Sequence, residues 1–188
     1  MARLVFVTHP DVRVEPALAI PDWGLSAEGR RRAADFAGSP RLASVSAIWS
    51  SAEAKAHETA LILARALDLP VKVDAQLGEN DRSATGYLPP EEFERTAEAF
   101  FAAPEQSFRG WERAIDAQER IHAAVRRIVA GHGTGDLMVV SHGAVGTLLY
   151  CRLRGLAIDR RHDQPHQGHW WSAELPALVP RHGWRPVG

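Results

Sequence analysis

Cysteine is almost absent from this 188-residue chain: Cys151 stands alone, so an internal disulfide is excluded. Its place in Leu148-Leu149-Tyr150-Cys151 reads as a packed helical thiol, with no neighbour that would lower its pKa. Lysine is nearly as scarce, Lys55 and Lys72 being the only two. Neither sign of charge dominates, because 22 basic side chains meet 23 acidic ones and leave a formal net charge of -1. No overall field therefore favours nucleic acid or an anionic membrane, and any bound anion must be held by a local cluster. No apolar run is long enough to span a bilayer, and the first residues lack a signal-peptide core, so a cytoplasmic protein is expected. Repeats and low-complexity linkers are also lacking. What remains, 45% apolar and 24% charged, suffices to bury a full core in a single domain over residues 1–188.

Two short apolar runs near opposite ends of the chain each finish on a histidine: Leu4-Val5-Phe6-Val7-Thr8-His9 and Leu137-Met138-Val139-Val140-Ser141-His142-Gly143. Such runs suit strands of a parallel sheet buried on both faces, where ligand sites lie beyond the carboxyl ends, so both imidazoles are expected in one pocket. Further strands are expected at Ala47–Ser50 and Val71–Val73. Ser26 caps a helix over about Ala27–Phe36, and a second runs from Ala52 to Leu67 with Ala56, Ala60, Leu63 and Ala64 on one face. Pro89 and Pro90 start a third, whose Phe93, Ala97, Phe100 and Phe101 face inward. Trp111, Ile115, Ile121, Val125 and Ile128 mark a fourth, and Val145–Arg154 is a fifth, ended by Gly155. Gly131-His132-Gly133-Thr134-Gly135 precedes a strand rather than following one, so it reads as a turn and not as a phosphate loop. Helix-opening amides beside His142 would favour an anion.

Five segments, in order, resemble the histidine phosphatase superfamily that includes the cofactor-dependent phosphoglycerate mutases. His9 stands where that family has the phosphorylated histidine of Arg-His-Gly, and Leu25-Ser26-Ala27-Glu28-Gly29 is similar to its Leu-Thr-x-x-Gly helix start. Ser50-Ser51 and Thr59-Ala60 bracket Lys55, which fills the place of a phosphate-gripping arginine. Glu79 resembles the proton-donating glutamate, and Ser141-His142-Gly143 the second histidine motif. The resemblance implies a three-layer α/β/α sandwich with a mainly parallel central sheet. Two departures stand out. Thr8 and Pro10 replace the arginine and glycine around the first histidine, removing a bidentate guanidinium and a backbone donor. Lys55 keeps a charge without arginine's planar fork. Arg82 and Arg13 are the candidate compensating cations, and an arginine at position 8 is expected to strengthen phosphate binding.

The chemistry expected is transfer of a phosphoryl group to His9, followed by hydrolysis. Lys55, His142 as imidazolium and Arg82 would stabilise charge on the equatorial oxygens, with Thr8, Arg13 and Gly143 completing the substrate contacts. Glu79 would protonate the leaving alkoxide and then activate water, with Asp11 its rival. The scheme needs no cofactor and no metal. The partner expected is a small phosphorylated substrate, and neither nucleic acid nor membrane. Mutase activity is the enzymatic alternative, although the chain lacks a lysine-rich insertion for a bisphosphorylated primer. A catalytically impaired phosphate-ester binder is another. A metal-binding role rests on His162, His166, His169 and His182, which lie among Trp170, Trp171 and Trp184 in a segment read as loop.

Overall fold

In the computed structural model, which describes residues 2–188, the apolar runs assemble into a seven-stranded sheet. Strands β1 (Arg3–Thr8), β2 (Val45–Ser50), β3 (Val71–Val73) and β4 (Asp136–Ser141) run parallel in the spatial order β3-β2-β4-β1. The helices are α1 (Ala27–Ala37), α2 (Ala54–Leu67), α3 (Pro90–Ala102), α4 (Ala114–Ala130) and α5 (Gly143–Arg154). Side chains that alternate along the strands divide the core in two. Leu4, Phe6, Leu137 and Val139 pack with Ile121 and Val125 of α4 and with Val145 and Leu148 of α5. Val5, Val7, Met138 and Val140 point the other way, onto Phe36 of α1 and Ala60 and Leu63 of α2. Helices cover both faces, which is why β1 and β4 read as unbroken apolar runs rather than as alternating ones.

Local chemistry sets the helix ends. The Ser26 hydroxyl accepts from the Gly29 amide at 3.0 Å to start α1, and Gly155, at φ 64°, ends α5 in the left-handed region that suits glycine. Helix α2 begins two residues later than its periodicity suggests, because the Ser51 hydroxyl accepts from the Glu53 amide at 3.2 Å and holds that turn outside the helix. Trp111 precedes α4 instead of belonging to it, and packs on Phe93 with ring centroids 5.9 Å apart. No helix among the described residues is long and apolar enough to cross a membrane.

The C-terminal histidine and tryptophan segment is not the loop expected. His169–Glu174 forms β5, antiparallel to β1, and Val179–Pro180 (β6) and Arg185–Pro186 (β7) pair with β5. Trp171 stacks on Phe6 at 5.0 Å with a 4° interplanar angle, whereas its neighbour Trp170 reaches the opposite face and lies 5.8 Å from Phe36. Adjacent tryptophans on opposite faces are what a strand buried on both sides requires.

Candidate active site

Register brings the two strand-end histidines together. Thr8 lies opposite Ser141 in the parallel β1–β4 ladder, so the next residue on each strand leaves the sheet at the same level. The His9 amide donates to the Ser141 carbonyl at 3.2 Å, and the two rings stand edge to face with centroids 5.2 Å apart. The end of β2 adds Ser51, whose amide donates to the Val140 carbonyl at 3.0 Å and whose hydroxyl lies 2.9 Å from His142 Nε2.

His9 Nδ1 is 2.9 Å from the Pro10 carbonyl, which can only accept, so Nδ1 carries the proton and Nε2 carries the lone pair. Proline lacks the amide but keeps this carbonyl, so Pro10 preserves the tautomer. Burial, opposed in part by that hydrogen bond and reinforced by Lys55, lowers the His9 pKa to about 4. Its ring is neutral near neutral pH. Burial likewise holds His142 well below the ordinary histidine value, although Glu53 pulls the other way. The Nδ1 atom of His142 is buried and has no hydrogen-bond partner.

Glu79 arrives from the loop after a 3-10 turn at Ala75–Leu77. Its carboxylate accepts from the amides of Ala144 at 3.2 Å and Val145 at 3.1 Å, so the helix-opening amides expected to favour an anion are already engaged by this side chain. The same cap explains why α5 begins at Gly143, two residues before the expected start. Burial is the largest influence on Glu79 and raises its pKa, against the opposing charge of Arg82. Arg120 donates to the carbonyls of Gln76, Gly78 and Glu79 and pins this loop.

Lys55 lies on the first turn of α2, buried, with Nζ 2.9 Å from the Ile20 carbonyl and 2.5 Å from Glu53 Oε2. Glu53 also accepts from the Glu79 amide at 2.8 Å and lies 3.4 Å from His142 Nε2. Burial opposes ionisation of Glu53, but His142 and Lys55 outweigh it and hold the carboxyl at about 2. Sequence reasoning missed this residue. Its only signal was a carboxylate two positions before the lysine in Glu53-Ala54-Lys55.

A cavity of about 480 Å³ is lined by His9, Lys55, Glu79, Asn80, Arg82 and Gly143 among others. His142, fully buried, packs on the His9 ring without joining the cavity wall, so only one of the two imidazoles expected in the pocket lines it. The Arg82 guanidinium lies over the Phe93 and Trp111 rings at 5.3 and 5.6 Å, and no carboxylate pairs with it among the described residues. The Gln164 side-chain amide comes close to Gly143, so that a Cβ there would displace it. Gln164, also missed from sequence, lines the cavity and takes the Thr8 hydroxyl on its Oε1 at 2.7 Å. Thr8 itself is fully buried, accepts from the His169 amide at 2.9 Å, and is not part of the cavity wall.

Two other groups considered from sequence are occupied elsewhere. The Arg13 side chain is 71% exposed and pairs with Glu15, outside the cavity. Asp11 is bound by Arg32 at 2.6 Å, an interaction that outweighs burial and lowers its pKa, so it stays an ionised partner rather than a proton donor. Of the C-terminal histidines, His166 lines the cavity, His162 lies in a 3-10 turn, His169 opens β5 and His182 contacts Ser172. No three His, Cys, Asp or Glu side chains are grouped to hold a metal ion among the described residues. Cys151 is buried, and burial raises its thiol pKa.

Comparison with known proteins places this geometry. The chain is 26% identical over 168 residues to phosphoserine phosphatase 1 of Hydrogenobacter thermophilus, covering 85% of this chain and 80% of that protein. Its fold matches a mycobacterial glucosyl-3-phosphoglycerate phosphatase in complex with VO3, with a TM-score of 0.82 and 22% identity over 99% of this chain and 100% of the other. It also matches Bacillus stearothermophilus YhfR, with a TM-score of 0.81 and 24% identity over 97% and 95% of the two chains. The family match begins after the divergent Thr8-His9-Pro10 segment and runs across residues 16–173, from the loop before α1 into β5, and by that match the chain belongs to the histidine phosphatase superfamily (branch 1).

Proposed function

We propose that the protein is a phosphomonoesterase that carries the phosphoryl group on Nε2 of His9. The observation that carries this reading is the Pro10 carbonyl on His9 Nδ1, which leaves a neutral ring with its lone pair on the other nitrogen. In the first step Nε2 attacks phosphorus as the bond to the ester oxygen breaks, and the carboxyl of Glu79, whose hold on a proton burial strengthens, gives its proton to that oxygen. In the second, Glu79 takes a proton from water, which attacks phosphohistidine and releases inorganic phosphate. Lys55 and Arg82 offset charge on the equatorial oxygens. His142 contributes most as a cation. A phosphoryl dianion on His9, whose ring adjoins that of His142, favours protonation of His142 at its unpartnered Nδ1, while Ser51 and ionised Glu53 receive Nε2–H.

The relatives named as phosphatases of phosphoserine and of glucosyl-3-phosphoglycerate support a small phosphorylated substrate. The test is steady-state hydrolysis of a phosphomonoester panel, with and without a bisphosphorylated primer, together with acid-quenched protein assayed for acid-labile phosphate. Turnover without primer, and its loss by more than about a thousandfold in His9→Ala with the fold retained, is the expected result. Turnover that depends on the primer would favour the mutase alternative. Phosphate binding with no turnover and no labile phosphate would favour the impaired binder.

A further inference from the structure

Beyond the ester bond, the cavity is walled by rings. Trp23 and Tyr87 approach each other with centroids 5.9 Å apart, and Phe93, Phe100 and Trp111 form a second group. Both indole N–H groups are already used inside the protein. Trp23 Nε1 donates to the Glu15 carbonyl at 2.9 Å, and Trp111 Nε1 donates to the Thr85 hydroxyl at 2.9 Å. Apart from the Tyr87 hydroxyl, what these side chains offer a ligand is therefore carbon surface.

The charged groups of the same lining are spoken for. Lys55 is bound to Glu53, Glu94 pairs with Arg160, and Asp163 takes the Thr147 hydroxyl at 2.7 Å and the Gln164 amide at 2.8 Å. Glu79 caps α5. Arg82 alone is a lining cation without a carboxylate partner among the described residues, and the phosphoryl group calls on it. A leaving group with its own ammonium or carboxylate would have to break an existing pair or lose its hydration uncompensated. A flat apolar group loses nothing by entering and buries its surface against the rings.

Building on the phosphomonoesterase reading of this same cavity, we infer that the alcohol it releases bears an uncharged, ring-sized apolar group rather than an amino-acid or carboxylate headgroup. Alkyl esters test this without the bias of a better leaving group: 1-naphthylmethyl phosphate against ethyl phosphate, with O-phosphoserine and 3-phosphoglycerate alongside. The expected kcat/KM for the naphthylmethyl ester exceeds that for the ethyl ester by about 10- to 100-fold, mostly through KM. Trp23→Ala, and separately Tyr87→Ala at a half-exposed position where folding is not at stake, should each reduce that ratio by at least about threefold. A higher kcat/KM for phosphoserine or 3-phosphoglycerate would overturn the inference and leave the phosphatase reading standing. Binding decides the matter independently of turnover. By calorimetry, 1-naphthylmethylphosphonate should bind at least about tenfold tighter than ethylphosphonate, and equal affinities would overturn the inference. Preferential binding without turnover of any ester would instead leave an apolar subsite for the bound group and overturn the hydrolytic reading together with the released alcohol.

Discussion

The two sides of the cavity are built on different terms. At the carboxyl ends of β1, β2 and β4, His9, His142, Ser51, Glu53, Lys55 and Glu79 are tied to one another or to backbone, and each position is set by strand register or by the first turn of a helix. On the outer side, α3, the segment between Asn80 and Trp111, and residues 160–167 supply aromatic surface and a few paired charges. The inner side has a fixed hydrogen-bond pattern that a change of one atom breaks. The outer side works through area and shape, where one side chain changes an affinity but not a protonation state. Chemistry thus belongs to groups tied down at the carboxyl edge of the sheet, joined by Glu79 and Arg82 from the adjoining loop, and selectivity to the outer segments, the division expected when a reacting centre must be held tightly and a leaving group only enclosed.

Glu79 offers the hardest test of the inner side, because it serves both as proton donor and as the cap of α5. Glu79→Gln keeps an acceptor for one helix amide and loses the transferable proton, so kcat/KM for alkyl phosphomonoesters should fall by about 10² to 10⁴-fold. Far-UV circular dichroism and Tm should change little. The kcat/KM of aryl esters with good leaving groups, which reports formation of phosphohistidine and not its hydrolysis, should suffer much less, because that step then needs no proton. An equal loss of kcat/KM for both ester types would mean that Glu79 does not protonate the leaving group.

Thr8 is where sequence and structure part company. Its place in the motif suggested a weakened phosphate site that an arginine would repair. The structure has Thr8 wholly inside, bonded to Gln164 and the His169 backbone, with β5 paired along β1 beside it. An arginine there must push Gln164 aside or bury an unpaired guanidinium. Thr8→Arg should therefore lower kcat/KM by about tenfold and cost about 1–3 kcal/mol of stability. A gain in kcat/KM with unchanged Tm would show that Gln164 is dispensable and that the inner side has room to spare.

The limits of the sequence reading follow from the range of the signals. β1, β4 and the helices carry their own periodicity or caps, and the pairing of His9 with His142 follows from two parallel strands that each end in the same residue type. Segment β5 defeated that method, since Trp170 and Trp171 alternate between two buried faces and give no polar-apolar contrast. The Gln164 side chain is held by the Thr8 hydroxyl, which also fixes the start of β5 through the His169 amide, a relation across 156 residues that no local pattern encodes. Arg13 and Asp11 were nominated by nearness in sequence to His9, but their pairing with Glu15 and Arg32 draws them away. Glu53 was hidden by its ordinariness: Lys55 is a near neighbour in sequence, but only the tertiary fold brings His142 and the Glu79 amide to it.

The smallest effect expected is also the most specific, because it concerns Arg82, where the inner charges meet the outer rings. Its guanidinium disfavours a second positive charge and so depresses His9, whose pKa already lies at about 4; it favours negative charge and so restrains the rise in Glu79. The proposed reaction requires His9 unprotonated and Glu79 protonated. The acid limb of the kcat/KM profile follows the first, and the alkaline limb follows the second. Arg82→Met removes the cation while keeping an apolar stem for Phe93 and Trp111. Both pKa values should then rise, so both limbs should move to higher pH while the plateau falls. Ionisation of the substrate cancels when wild type and variant are compared on one ester. If Arg82 serves only to order the ring wall, the plateau would fall with both limbs in place, and its guanidinium would belong to the outer side alone.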